Sequence, residues 1–226
     1  MNLVIDIGNT RSKLAVFEND RLINVDVYDE IDIDKVKKFL SNVKSVILSS
    51  VAKDPVNFAD ILPGSINFIE LKPGTPLPIG NLYKTPETLG YDRIAAVAGA
   101  NHQFRGKNVL VIDAGTCITY DFINSKNQYL GGSISPGINM RFKALNNFTT
   151  NLPLLDIDKP LRDSRVVGEN TTDSILSGVL NGALAEVKGI IASYKKDFPG
   201  LRIIMTGGDL DFLEKELDAL IHSKKK

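Results

Sequence analysis

The chain has 226 residues, 43% of them apolar, and its 27 Lys and Arg residues balance 27 Asp and Glu residues. This composition is typical of a soluble globular protein of one or two compact lobes, and the zero net charge argues against nucleic acid or an anionic membrane as the main partner, because both usually attract a surplus of Lys and Arg. The single cysteine, Cys117, excludes an intramolecular disulfide framework and fits a reduced cytoplasm.

A strand followed by a glycine turn opens the chain, and the same pattern returns in the second half. The motif Asp6-Ile7-Gly8-Asn9-Thr10 ends one apolar run, and Asp113-Ala114-Gly115-Thr116 ends another. Each motif is followed by two alternating runs, which are Lys13 to Phe17 and Leu22 to Val27 in the first copy, and Ile118 to Phe122 and Tyr129 to Gly131 in the second. We therefore predict two similar lobes with a boundary near residues 100–107.

Helical and irregular segments separate the two copies. Ile33 to Val43 has the apolar period of a helix, and Val46 to Ser49 is typical of a short buried strand. Residues 63–90 contain half of the prolines together with four glycines, and a loop of this length inside a compact domain is usually functional. The loop leads into a predicted helix, Tyr91 to Phe104, whose small residues allow another helix to pack closely.

The longest predicted helix follows Thr172-Asp173 and carries a broad apolar stripe. Its Gly178 and Gly182 are spaced for close approach of a partner. No segment approaches 18 uninterrupted apolar residues, so no membrane span is expected. The remaining predicted elements are a strand, a helix with an N-cap Asp and a solvated basic tail: Leu201 to Met205, Asp209 to Ile221, and Lys224 to Lys226.

The first glycine turn, Asp6 to Thr10, has the composition of a phosphate site. Its glycine lets the backbone approach a phosphate, its amide and hydroxyl side chains add donors, and its acid can hold hydrated Mg2+. A hairpin turn is the alternative. The second copy favours phosphate binding, because two such turns from two lobes can grip a polyphosphate from both sides. Gly207-Gly208 then supports a nucleotide site, whereas Gly131 to Gly137 is either a pair of turns or a flexible wall over the phosphates.

Asp92 and Arg93 follow Gly90 at the start of a helix, where an acid favoured by the helix dipole is the simplest interpretation. The pair also closes the proline-rich loop that presents Asn81 and Tyr83, a grouping suited to a small polar molecule. Three more side chains could bind a ligand or serve only as solvated or capping residues: Arg11, Lys13 and Thr171.

These motifs together resemble the type III pantothenate kinases, a family of the acetate kinase, sugar kinase, heat-shock protein and actin superfamily. The resemblance runs along nearly the whole chain and rests on six blocks in the same order, which are Asp6 to Thr10, Asn81 to Arg93, Asp113 to Thr116, Gly131 to Gly137, Gly168 to Thr171 and Thr206 to Asp209. Six ordered blocks are far more specific than any one of them.

The resemblance implies an α/β fold of two similar actin-like (ribonuclease H-like) lobes, residues 1–104 and 105–226. Each lobe would be a mixed sheet flanked by helices, with an ATP cleft between the two. The implied reaction is phosphorylation of pantothenate by ATP to 4'-phosphopantothenate, the first step of coenzyme A biosynthesis. The implied enzyme is a cytoplasmic homodimer that binds ATP and pantothenate, with no nucleic-acid or membrane partner.

The resemblance also assigns roles to individual residues. Asp92 would be the proton acceptor, Asp113 would hold a monovalent cation (K+ or NH4+), and Asp6 would hold Mg2+ through water. ATP would contact Asp6, Ile7, Gly8, Asn9, Thr10, Arg11, Ser12, Lys13 and Thr116. Pantothenate would contact Tyr83, Gly90, Tyr91, Asp92, Arg93 and Thr171. Two departures concern fine packing: Cys117 stands where the family usually has Ala, and Ile94 where an aromatic residue often stands.

Three rival functions share parts of this pattern. A kinase of a sugar or short acid would keep the phosphate turns but not the grouping around Tyr83 and Asp92. A regulatory protein would keep the fold without the reaction, although Asp6, Asp92 and Asp113 are all present. A filament-forming protein of the actin type would need more room than the chain offers.

Overall fold

The computed structural model describes residues 1–8, 11–50, 57–155, 165–217 and 220–225. Internal contacts divide the chain into two units, Met1–Leu77 with Lys84–Ala95, and Pro78–Tyr83 with Ala96–Lys226. This division falls inside a helix, Tyr91–Gln103, rather than after it. The lobes 1–104 and 105–226 remain a prediction about domain structure.

The first unit is built on a five-stranded mixed sheet with the strand order β3-β2-β1-β4-β5. Strands β1 to β3 form an antiparallel meander, and β4 and β5 continue the sheet parallel to β1. Their bounds are Asn2–Ile7, Ser12–Glu18, Arg21–Tyr28, Ser45–Ser50 and Asn67–Glu70. The alternating apolar residues predicted these strands, apart from β5. Alternate residues of β1, β2 and β4 are buried on one face of the sheet, whereas β3 is mostly exposed.

Helix α1 (Ile33–Lys37) covers that face and is shorter than predicted. The apolar period continues to Val43, but the chain leaves the helix after Lys37. Val43 N donates to Leu40 O, three residues back, and Asn42 adopts a left-handed φ of 63°. The apolar side chains after Lys37 still pack on the sheet, although they lie in turns. The apolar spacing of a helix therefore does not require a helix along its whole length. A short 3-10 helix, Phe58–Asp60, adds the buried Phe58 to the same core.

The second unit is built on a six-stranded sheet with the order β11-β10-β7-β8-β9-β6. The bounds of β6 to β11 are Gly80–Asn81, Val109–Ala114, Cys117–Ile123, Gln128–Pro136, Arg202–Thr206 and Ser223–Lys225. Strand β9 corrects the expectation of turns or a flexible wall at Gly131–Gly137, because its backbone pairs with β8 as far as Pro136. Strand β11 corrects the expectation of a solvated tail, because it pairs with β10.

The two sheets repeat one topology. The order β9-β8-β7-β10-β11 matches β3-β2-β1-β4-β5, with the same antiparallel and parallel pairings. The second sheet adds β6 parallel to β9. This repetition confirms the predicted α/β class with two similar mixed sheets flanked by helices.

Four longer helices complete the described part of the chain: α2 (Tyr91–Gln103), α3 (Ile138–Asn147), α4 (Thr171–Asp197) and α5 (Leu210–Leu217). Helix α4 is long and apolar enough, by length and composition, to cross a membrane. Its apolar stripe packs against α3 and the second sheet, with Val179, Ala183 and Val187 buried there. This packing accounts for its apolar character, as in the core helix of a globular unit.

Candidate functional site

The first glycine turn closes tightly at the end of β1. Gly8 N donates to Arg11 O at 3.1 Å, and a Cβ on Gly8 would lie 2.8 Å from that carbonyl oxygen, so only glycine fits. Asn9 and Thr10, both predicted ATP contacts, lie outside the described residues. Arg11 is exposed, whereas Ser12 is 3% exposed and pairs with Ile7 across the strands.

Asp6 lies in the middle of a row of polar residues on three neighbouring strands. Its register partners are Lys13 on β2 and Ser49 on β4, so the three side chains share one face of the sheet. Burial raises the pKa of Asp6 above its ordinary value, Ser49 and Lys13 partly offset this, and the charge of Asp92 raises it further. Asp6 and Asp92 therefore lie within electrostatic reach of each other in the first unit.

Ser49 is a polar residue of this row that the sequence analysis did not select. Its side chain is buried close enough to Asp6 to lower the pKa of that acid. Its hydroxyl nevertheless has no hydrogen bond of normal geometry among the described residues, so it lies beside the Asp6 carboxylate without a bond to it. Only the parallel pairing of β1 with β4 reveals that Ser49 lies beside Asp6.

Asp92 is exposed at the start of α2, and its carboxylate is held by the local backbone. Arg93 N donates to Asp92 Oδ1 at 2.8 Å. A Cβ on Gly90 would collide with the same oxygen, so glycine at this position leaves room for the carboxylate. Arg93 is buried, and Tyr91 begins the helix with a pKa raised by burial and by the charge of Glu70. The first unit thus brings together Gly90 to Arg93 and Asp6.

Asp113 occupies the position in the second sheet that Asp6 occupies in the first. Its register partners are Thr119 on β8 and Thr206 on β10. A carboxylate between two hydroxyls is a set of oxygen donors suited to a hard cation. The first unit has Lys13 where the second has Thr119, so the two sheets differ in one positive charge beside the central acid.

The second glycine turn is clasped by two neighbouring elements. A Cβ on Gly137, at the N-cap of α3, would collide with the carbonyls of Gly115 and Thr116, and one on Gly207 would collide with the backbone of Ala114. Asp209 N donates to Ala114 O at 2.9 Å. The exposed Thr116, a predicted ATP contact, therefore sits on a turn whose backbone is fixed from both sides.

Asp209 stands at the predicted N-cap position of α5, but its carboxylate serves a different helix. Its own carbonyl accepts from Phe212 N and Leu213 N, whereas its side chain accepts from Ile138 N at the start of α3. Burial raises its pKa to about 6, and Oδ2 has no hydrogen-bond partner among the described residues. The sequence offered no signal for this contact, because the two residues are far apart along the chain.

Two predicted pantothenate contacts belong to the second unit and lie on separate elements. Tyr83 follows β6, and its backbone N–H donates to Asn81 Oδ1 at 3.0 Å. Thr171 is exposed as the first residue of α4, where the neighbouring Asn170 is the N-cap and accepts from Asp173 N at 2.9 Å. Thr171 is thus the neighbour of the N-cap residue. Its contact with pantothenate stays a prediction.

Comparisons with known proteins place this chain in a family. The model of the type III pantothenate kinases matches residues 2–193. The type III pantothenate kinase of Christiangramia forsetii is 47% identical over 94% of this chain and 88% of its own length, and that of Bacteroides fragilis is 42% identical over 100% and 93%.

Solved structures share the fold at lower identity. A conserved protein of Campylobacter jejuni assigned to the Baf family of transcriptional activators has a TM-score of 0.58 and 24% identity, covering 99% of this chain and 90% of that one. The activator of 2-hydroxyisocaproyl-CoA dehydratase from Clostridium difficile, with bound ADPNP, has a TM-score of 0.51 and 11% identity, covering 98% and 87%. By its family model and its curated relatives, the chain belongs to the type III pantothenate kinase family and is a kinase of the actin-like fold.

Proposed function

We propose that the chain transfers the γ-phosphoryl group of ATP to the primary hydroxyl of pantothenate, the first step of coenzyme A biosynthesis, with Asp92 as the proton acceptor. Membership of the family supports this reaction. The observation that carries the residue assignment is the approach of Asp92 to Asp6 beside the first glycine turn. We place the enzyme in the cytoplasm.

Asp92 acts mainly by orientation. A carboxylate is a much weaker base than the alkoxide of the acceptor, so Asp92 takes the hydroxyl proton late in the transfer rather than early. The exposed carboxylate is available to a substrate, and its bond from Arg93 N fixes one oxygen while the other is left to accept from the hydroxyl. Phosphoryl transfer depends on such placement and on charge stabilisation more than on covalent help.

The donor set at Asp6 fits Mg2+ held through water. The charge of Asp92 raises the pKa of Asp6, and a divalent cation relieves the repulsion between two such hard oxygen groups. Mg2+ held there would supply positive charge that neutralises part of the phosphate charge. In this arrangement Asp6 would orient the hydrated ion, and Lys13 lies beside Asp6 on β2.

Asp113 with its flanking threonines fits a monovalent cation such as K+ or NH4+. The carboxylate and the Thr119 and Thr206 hydroxyls are oxygen groups on three adjacent strands that share this face of the sheet. A single positive charge here would stand where Lys13 stands in the first sheet, and it would offset part of the phosphate charge. The role of Asp113 is therefore to hold charge near the second glycine turn.

The experiment that tests the catalytic assignment replaces Asp92 by Asn. The change keeps the shape and the bond from Arg93 N but removes the proton acceptor, so kcat should fall by roughly 100-fold or more. ATP affinity, measured by equilibrium dialysis, should stay within about twofold, because the change leaves the phosphate turns intact. Asp34→Asn is the matched control, since it removes the same charge from the first turn of α1 in the same unit. Near-normal turnover of Asp92→Asn would remove Asp92 from this role.

We also propose that the enzyme is a homodimer, in which the two subunits pack against each other through helix faces made of small residues. Gly178 and Gly182 are exposed on α4, and a Cβ on either would meet open space within the chain. Replacing both by Gln should convert the dimer to a monomer in sedimentation equilibrium, while Gly64→Gln in the proline-rich loop should not. An unchanged dimer in the double variant would exclude this face.

A further inference from the structure

The ring of Tyr83 rests on strand β9 of its own unit. Leu82 N donates to Tyr129 O at 2.9 Å, which fixes the backbone next to Tyr83 against this strand. The Tyr83 and Tyr129 rings are stacked, with centroids 6.0 Å apart and planes 20° apart. Tyr83 is half-buried, so one part of its ring is packed and another part faces solvent.

The side chain of Tyr129 is held by burial and by a hydrogen bond. It is 0% exposed, and its hydroxyl donates to Asp121 Oδ1 at 2.7 Å. Asp121 is 1% exposed on the neighbouring strand β8. Hydrogen bonds to carboxylates are short and strong, so this bond sets the rotation and depth of the Tyr129 ring.

A bulge in β9 brings the backbone close to Tyr83. The pairing with β8 shifts between Phe122 and Ile123, whose partners are Gly131 and Tyr129, so one residue of β9 is extra. Gly131 has a φ of 112°, which side chains of L-residues rarely adopt. A Cβ at Gly131 would lie 3.2 Å and 3.3 Å from two atoms of the Tyr83 ring. The Tyr83 ring therefore packs with one side against Tyr129 and the backbone of Gly131.

Packing alone does not account for this arrangement. A phenylalanine would fill the core at Tyr129 without placing a carboxylate in the interior, and a buried acid is costly unless it is hydrogen-bonded. A residue with positive φ is also unnecessary in a regular strand, and bulges commonly re-aim a side chain. All three features act on one side chain that is not fully buried, Tyr83.

We infer that Asp121, Tyr129 and Gly131 position the Tyr83 ring for binding of the acceptor substrate. The inference rests on the proposed function, in which Tyr83 contacts pantothenate. None of the three touches the substrate, so they are positioning residues, and their loss changes affinity for the acceptor more than the chemical step. The first ATP turn lies in the other sheet, and the second lies before the first residue of β8 (Cys117–Ile123), whereas Asp121 is near the far end of that strand, so ATP binding should be little affected.

The test compares Tyr129→Leu, Tyr129→Phe and Gly131→Ala in steady-state kinetics. Tyr129→Leu removes the stacked ring and Gly131→Ala pushes on Tyr83, so each should raise KM for pantothenate roughly 3- to 10-fold, the scale of one aromatic stacking contact. KM for ATP should stay within about twofold. Tyr129→Phe keeps the ring but loses the bond to Asp121, so its KM for pantothenate should fall between that of the wild type and that of Tyr129→Leu.

Tyr120→Phe is the matched control for lost stability. Tyr120 is also 0% exposed in the same sheet, and its hydroxyl donates to Glu186 Oε1 at 2.9 Å. It should lower the melting temperature about as much as Tyr129→Phe without changing KM for pantothenate. Tyr83→Leu gives the full effect of losing the ring.

A second readout does not depend on the substrate. In protein labelled with 3-fluorotyrosine, the 19F signal of Tyr83, assigned by its loss in Tyr83→Phe, should shift in Tyr129→Leu and in Gly131→Ala but not in Tyr120→Phe. An unmoved signal overturns the inference whatever the activity. So does an unchanged pantothenate KM in Tyr129→Leu and Gly131→Ala, whether or not Tyr83→Leu raises it. Wild-type protein that releases no ADP with pantothenate would instead overturn the proposed function, and the 19F result would still decide whether these residues fix the ring.

Discussion

At the scale of single residues, the position of the Asp92 carboxylate depends on the absence of one side chain. Gly90 leaves the space that Asp92 Oδ1 occupies while it accepts from Arg93 N. The same logic applies at Gly8, where a Cβ would crowd the carbonyl that closes the first turn. In both places glycine lets a functional group approach the backbone.

Replacing Gly90 by Ala should therefore damage turnover without removing any catalytic group. The new Cβ displaces the carboxylate, and a displacement of about 1 Å costs roughly 100-fold in rate when it moves a reacting group. We expect kcat to fall by roughly 10- to 100-fold, with KM for ATP nearly unchanged. Gly99→Ala is the control, because its Cβ meets open space on α2. Equal kinetics for the two variants would contradict the steric role of Gly90.

The sequence predicted some of these residues and could not predict others. Asp6, Gly8, Gly90 and Asp92 lie in local motifs whose composition already indicates a turn or a helix start, so a pattern along the chain finds them. Ser49 lies beside Asp6 only because β4 pairs with β1 in one register, and a register is not visible in a short apolar run.

At the scale of elements, Asp209 ties together β7, α3 and α5. Its N–H binds the carbonyl that ends β7, and its carboxylate binds the first N–H of α3. These contacts bury the carboxylate of Asp209 partly away from water. Burial disfavours its charged form and raises its pKa to about 6 from an ordinary value of 3.8. Its protonation is therefore linked to folding stability.

The sign of this linkage is opposite to that of an ion-paired acid. The native state binds the proton of Asp209 more tightly than the unfolded state does. Between pH 3.8 and about 6, the contribution of Asp209 to the free energy of unfolding therefore falls as pH rises. Above about pH 6 this contribution is constant. Asp209→Asn keeps the acceptor for Ile138 N and removes the charge. In urea unfolding, the free energy of unfolding of the variant minus that of the wild type should increase across this pH range and then level off. A difference independent of pH would contradict the burial of this charge.

Element boundaries were predictable where the side-chain period and the backbone agree. The strands of both meanders and the long helix α4 follow their apolar patterns. Helix α1 ends early because turns at 38–42 bury the same apolar residues, and β9 runs to Pro136 because strand pairing overrides the turn preference of Gly131 and Gly132. Contacts between distant parts of the chain therefore determine where α1 and β9 end, and the local sequence does not show these contacts.

At the scale of the whole molecule, two copies of one sheet topology present two central acids in different surroundings. Asp6 has Lys13 beside it, whereas Asp113 has Thr119 at the corresponding place. The repeated Asp-x-Gly motif predicted this duplication, and the pairing of the strands adds the contrast in charge. This contrast in charge supports our proposal that a monovalent cation binds beside Asp113.

The variant Thr119→Lys tests that proposal, because it supplies a fixed charge beside Asp113. We expect the ratio of kcat in K+ to kcat in Na+ to fall toward one, since an internal ammonium replaces the bound ion. Thr119→Val removes a hydroxyl without adding charge, and it should instead raise the K+ concentration needed for half-maximal rate. A K+ dependence that is the same in Thr119→Lys as in the wild type would refute the assignment of the cation to Asp113.

The pantothenate kinase activity itself is measured by ADP release from purified protein with Mg2+ and ATP, with and without pantothenate, in K+ and in Na+ buffer, with the product identified by mass. We expect pantothenate-dependent ADP release that is faster in K+ and yields one phosphorylated pantothenate per ADP. ADP release that ignores pantothenate, or binding of ATP without any product, would contradict the claim that this chain phosphorylates pantothenate.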